Sequence, residues 1–142
     1  MRGGRGVRRS KCGMGFTLIE VMVTAAIITI LVSIALPQYQ KATELGYRRE
    51  AQDLLLTIYY GERGYFLANA KYKGPLDAGS NWGVIFMENP NVGSIPVTFK
   101  VATSAGDTQF TATATRNGGM CGAKVLTVDQ GRAIGGDWIG CP

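Results

Sequence analysis

The chain has 142 residues, is 46% hydrophobic and carries a formal charge of +5 with no histidine. That suits one globular domain plus a membrane segment, and the lack of any low-complexity tract or internal repeat excludes disordered and repeat architectures. The positive charge points to nucleic acid only until it is located. Five of the 15 basic residues (Arg2, Arg5, Arg8, Arg9 and Lys11) fall in the first 15 positions, which hold no acid, and the other ten balance the ten acids. Cations beside an apolar span stay on the cytoplasmic side, so the basic excess is a topology signal and the C-terminal part is expected outside.

From Gly15-Phe16-Thr17-Leu18-Ile19-Glu20 an apolar run continues to Leu36 and meets Pro37. About 21 residues at about 1.5 Å each make a helix of about 30 Å, the thickness of a bilayer's hydrocarbon core. Its Thr and Ser hydroxyls can bond back to the preceding turn. Only Glu20 is charged, and a lone acid in hydrocarbon costs roughly 2.5 to 3.5 kcal/mol even on lenient insertion scales. No basic residue lies within a turn after it, and the nearest upstream is Lys11. Cutting the chain before Phe16 would create a cation close by, a free α-amino group.

A short basic leader, Gly15, an aromatic Phe16, Thr-Leu-Ile-Glu20 and an apolar helix together resemble the class III signal of type IV prepilins and pseudopilins. The resemblance implies that a membrane-embedded prepilin peptidase cuts after Gly15 and methylates the amine of Phe16. It further implies that subunits polymerise through the apolar helix with Glu20 as the assembly acid. A buried carboxylate near a neighbour's cationic terminus is neutralised and fixes axial register, whereas mispaired registers leave it bare. Other origins of such an N-terminus fit less well. Ser33-Ile34-Ala35 is A-x-A-like, but the apolar core is long for a secretory signal and holds Glu20. Arg8-Arg9 lacks the rest of a twin-arginine motif, and Cys12 precedes its apolar run where a lipoprotein cysteine would follow it. A plain single-pass anchor would leave the Gly-Phe-Thr-Leu-Ile-Glu string a coincidence.

Pro37 removes a backbone donor and disfavours helix at Leu36, which marks a helix break, either an end or a kink. Beyond it Tyr47, Ala51, Leu54, Leu55 and Ile58 draw one apolar stripe, so the helix is expected to resume and fray near Asn69, for about 50 residues in all. Glu44 with Arg48, and Arg49 with Asp53, form i,i+4 pairs on the side assigned to water. Gly46 and Gly61 read as bends or close packing points. The resemblance makes this helix the pilin spine and residues 61–81 the αβ loop. Tyr59, Tyr60, Tyr65, Phe66 and Tyr72 could stack nucleobases, but aromatics at a helix end more often pack under an adjoining sheet.

The remainder reads as strands over 84–87, 97–101, 110–115 and 124–129. Val97, Phe99 and Val101, with Phe110, Ala112 and Ala114, are expected to face the helix in an antiparallel meander. Gly106-Asp107, Asn117-Gly118-Gly119 and Gly131 supply turns. With Cys12 lost in the leader, the exported chain holds Cys121 and Cys141 and one possible intramolecular pair. A disulfide there resembles the border of the family's C-terminal D-region, and two free thiols are the alternative.

Catalytic chemistry is hard to find: no cysteine is plausibly paired with a base, there is no Gly-x-Ser-x-Gly or phosphate loop, and Asp77, Glu88, Asp107, Asp129 and Asp137 stand singly. They lack calcium-loop spacing, so no metal and no cofactor is expected. The expectation is a non-enzymatic α+β protein: a long N-terminal α-helix, membrane-spanning then amphipathic, on a small antiparallel sheet with a disulfide-bounded C-terminal loop. Its parts are a leader over 1–15, a transmembrane assembly helix over 16–37 and a globular domain over 38–142. As the resemblance implies, it is held in the inner membrane and polymerises into an extracellular or periplasmic filament. The expected partners are the peptidase, identical or related subunits, the membrane and an inner-membrane assembly platform. The alternatives are a pseudopilin of type II secretion, or a minor pilin for adhesion or DNA uptake, the one role that would touch nucleic acid.

Overall fold

A computed structural model describes residues 15–104 and 106–141; residues 1–14, with the five cations and Cys12 of the expected leader, lie outside them. The chain forms two compact units, one up to Pro37 and one from Gln38 on. Helix α1 runs from Leu18 to Asn69, 52 residues. Pro37 lies inside it with helical residues on both sides, so the expected break does not end the helix. Proline removes only its own rung, the N–H that would reach the Ser33 carbonyl.

Within the first unit the helix is exposed at every position. It is long and apolar enough to cross a membrane by length and composition. Its hydroxyls bond inward: Thr24 donates to the Val21 carbonyl at 2.9 Å, Thr29 to Ala25 at 2.8 Å and Ser33 to Ile30 at 2.7 Å. Backbone-satisfied hydroxyls can enter hydrocarbon without an open polar atom.

In the second unit α1 presents Ala51, Leu55 and Ile58 to the core. Opposite lies an antiparallel meander of β1 (Val97–Ser104), β2 (Gln109–Arg116), β3 (Val125–Asp129) and β4 (Ile134–Gly135), in that order. The register puts Phe99 opposite Ala114 and Val101 opposite Ala112. The alternating residues expected to face inward are buried, Phe99, Ala112 and Ala114 completely. Period-2 patterning over a one-sided core leaves little freedom for a slip, because one residue of shift would turn the whole apolar set to water.

The free edge of β1 is covered by the segment between α1 and β1. Leu76 exchanges backbone bonds with Val101, and the Asn91 carboxamide accepts from the Phe99 N–H at 2.6 Å and donates to its carbonyl at 3.1 Å. Covering an edge in this way removes a template for unwanted pairing. Here the structure differs from expectation: 84–87 is not a strand. Trp82–Ile85 is a 3₁₀ turn whose Asn81 side chain caps the Gly83 N–H, closed by Phe86 at φ 63°. Trp82 and Ile85 go into the core. A side chain added to Gly61 would strike the Ile85 carbonyl, so Gly61 is a close packing point, whereas one added to Gly46 would meet nothing within 4 Å. The aromatics pack as expected at Phe66, Tyr72 and Phe110, with centroids 4.6 and 4.8 Å apart, but Tyr60 is exposed.

Cys121 and Cys141 are joined across 20 residues, with Cα atoms 6.1 Å apart. Trp138, within that loop, is fully buried. Arg48 clamps the loop from α1, donating from Nη1 to the carbonyls of Ile139 at 2.8 Å and Cys141 at 2.9 Å. Closing a loop of this length constrains the unfolded chain by about 3 kcal/mol. Cys121→Ser should therefore lower the melting temperature of detergent-solubilised protein by roughly 10 to 20 °C. Thermal unfolding by circular dichroism checks this, and an unchanged melting point would remove the disulfide from the account of stability.

Candidate assembly site

The site begins at the start of α1. Gly15, Phe16 and Thr17 precede the helix and are exposed, Phe16 to 81%. Glu20 sits in the first turn, where a carboxylate complements the positive end of the helix dipole. It is tied back locally: the Thr17 N–H donates to Glu20 Oε2 at 3.4 Å, and the Glu20 N–H donates to the Thr17 hydroxyl at 3.2 Å. This reciprocal pair is a capping box, and its S/T-x-x-E spelling was legible in Thr17-Leu-Ile-Glu20. The acid is thus held toward the chain's beginning by one backbone donor, and a carboxylate has further lone pairs to offer. No cation lies near it among the contacts of the described residues.

Further along α1, two acids occupy the apolar stripe. Extending the spacing of Ala51, Ile58 and Leu55 by seven residues reaches Glu44 in one direction and Glu62 in the other, and both are buried. Glu44 therefore does not pair with Arg48 at the wet surface, nor does Arg49 bridge Asp53. Glu44 takes a fork from Arg116 at the end of β2: Nε to Oε2 at 3.0 Å and Nη2 to Oε1 at 2.8 Å. Arg116 Nη1 donates to the Pro96 and Asn117 carbonyls at 3.1 and 2.9 Å, and the guanidinium lies 4.6 Å from the Tyr47 ring centroid. Planar, bidentate pairing with the remaining donors engaged is the geometry in which a buried ion pair can offset its desolvation. Gly119, at φ +75°, makes room, since a side chain there would overlap both charged groups. The pair forms part of the wall of a groove of ≈ 630 Å³ with Tyr39, Thr43 and Met120.

Glu62 is fully buried with less support. Its Oε2 accepts the Lys73 N–H at 2.7 Å, while Oε1 has no partner among the described residues. Burial pushes its carboxyl up to about 7 from 4.5, against the pull of the Lys73 amide and charge. The folded form thus holds the proton more tightly than the unfolded chain. Stability is full below about pH 4.5, falls as pH rises toward 7 and then stays level, a loss of about 3 kcal/mol. Chemical denaturation between pH 5 and 8 should show this decline. Glu62→Gln should flatten it and gain stability at pH 8; a slope surviving in that variant would assign it to another group.

Helix, meander, disulfide-closed C-terminal loop and N-terminal motif together define a pilin-like α+β protein. Residues 15–36 match the prokaryotic N-terminal methylation motif. The type IV major pilin protein PilA of Myxococcus xanthus (strain DK1622) is 38% identical over 58 residues, which cover 41% of this chain and 26% of that protein. The fimbrial protein EcpC of Eikenella corrodens is 41% identical over 61 residues, covering 39% of this chain and 40% of that protein. The chain thus spans about a quarter and two fifths of the length of these two relatives.

Proposed function

We propose that this chain is a non-enzymatic structural subunit of a type IV pilus-like filament, made as a precursor and assembled through the first half of α1. The observation that carries the proposal is that the stretch matching the methylation motif, residues 15–36, opens a helix with no charged residue from Val21 to Leu36 and exposed at every position up to there, which nothing among the described residues of its own unit covers. Such a surface fits lipid before assembly and neighbouring subunits afterwards. In this account residues 1–15 form the cytoplasmic leader, 16–37 the membrane and assembly segment, and 38–142 the globular domain. Prepilin peptidase cuts after Gly15 and methylates Phe16, Glu20 answers the cationic terminus, and an inner-membrane platform moves the subunit into a filament outside. The names of the two relatives, a major pilin and a fimbrial protein, support a pilus over a secretion pseudopilus.

Gly15→Val tests the processing step. A β-branched residue would crowd a cleft suited to bare backbone, so full-length precursor should accumulate in the membrane and sheared filaments should vanish. Immunoblots of membrane and sheared fractions read both outcomes. Normal processing of Gly15→Val would place the cut elsewhere.

A further inference from the structure

A second groove, ≈ 460 Å³, runs along one flank of α1 in the globular unit, lined by Glu50, Leu54, Thr57, Met87, Glu88 and Val92 among others. Val92 is 82% exposed, although nothing about its backbone is loose. Asn89 caps the 3₁₀ turn Pro90–Val92 and donates to the Ala78 carbonyl at 2.8 Å, and Asn91 is clamped to Phe99. An apolar side chain held rigidly in water is an interface anchor in form. Neither Glu50 nor Glu88 makes an ion pair among the described residues.

The other flank of the same helix carries the opposite chemistry. At about 100° per residue, Glu50, Leu54 and Thr57 project roughly 100° to one side of the core seam formed by Ala51, Leu55, Ile58 and Glu62, and Arg63 and Leu67 project roughly 130° to the other. Leu67 is 82% exposed. Lys71 is exposed a few residues on, and among the described residues the Arg63 guanidinium reaches only the Tyr72 hydroxyl, at 3.5 Å. One flank is thus apolar and acidic, the other apolar and basic.

We infer that the Glu50/Glu88 groove of one subunit receives the Arg63/Leu67/Lys71 flank of a second copy of this chain. The inference rests on the polymerisation proposed above and names a surface in it beyond the N-terminal helix. Two complementary patches on opposite flanks cannot meet symmetrically, because a two-fold axis would set acid against acid. They meet head to tail, the kind of contact that builds an open filament when its rotation does not close into a ring. Beyond the leader, acids and bases balance at ten each, so identical copies approach without net repulsion.

The test uses the full chain in cells that make filaments. Glu50→Lys/Glu88→Lys and Arg63→Glu/Lys71→Glu should each reduce sheared filament yield by about tenfold or more, since like charges then face each other. The fourfold exchange in one chain should restore it. Because reversal could also disturb folding, Thr57→Cys/Leu67→Cys filaments treated with a short bis-maleimide should give a ladder of covalent multimers, absent from either single variant. Wild-type yield from both reversed doubles, loss without rescue in the fourfold exchange, filaments giving no ladder, or adducts to a different protein alone would each overturn the inference while leaving polymerisation standing. Absence of filaments from the unaltered chain would overturn both.

Discussion

Glu20→Ala subunits should insert into the membrane at least as well as the unaltered chain and yet assemble poorly. Removing the charge lightens the insertion cost by up to about 2.5 to 3.5 kcal/mol. In the apolar helix bundle of the proposed filament the same change would leave a terminus at Phe16 without a counter-charge, and breaking one partner of a buried pair costs about 3 to 5 kcal/mol, here at every subunit added. The capping box offers a competing explanation, because Ala also removes the acceptor for the Thr17 N–H. Two further variants separate them. Glu20→Gln keeps an oxygen for that bond and loses the charge, so it should fail like Ala. Thr17→Ala breaks the other half of the box and keeps the charge, so it should assemble with at most a modest loss, a missing cap costing about 1 kcal/mol. Membrane-fraction blots and sheared filament yield are the measurements. Wild-type yield from Glu20→Ala expressed alone would show that filament assembly does not need this acid's charge.

Arg116→Met should strongly destabilise the globular unit. It strands Glu44, which is 5% exposed, and strips the Pro96 and Asn117 carbonyls of a donor. A buried charge left alone costs about 3 to 5 kcal/mol, enough to lower the melting temperature by roughly 15 °C or more. Glu44→Met should cost a similar amount through the stranded guanidinium. The double variant Glu44→Met/Arg116→Met should be more stable than either single, since apolar side chains of similar size can replace a buried pair nearly neutrally. Thermal unfolding of the four proteins closes the cycle. If the two single losses simply add in the double, the charges are not coupled and packing alone explains the site.

These two sites differ in how far the sequence could announce them. Glu20 stands out because it is the one carboxylate in an apolar run, although its Thr-x-x-Glu spacing with Thr17 also spells a capping box, which the charge overshadows. Glu44 was visible as a stripe position seven residues before Ala51, but a local i,i+4 partner, Arg48, offered an easier account. Its true partner lies 72 residues away on β2, a separation no periodicity reports. The helix and the three longer strands were legible because each alternates or repeats over enough residues for one face to be unambiguous. Residues 84–87 misled for the opposite reason: four apolar residues carry no period, and a side-chain cap from Asn81 with a left-handed Phe86 decided their path. Strand β4 has two residues and exists through its pairing with β3.

The most direct test of a precursor that polymerises after one cut is peptide mass spectrometry of the N-terminus of subunits recovered from sheared filaments. The account predicts a mature chain that begins at N-methyl-Phe16. A chain beginning at Leu36, just after Ser33-Ile34-Ala35, would mark ordinary signal cleavage and remove the assembly helix from the filament altogether, contradicting it.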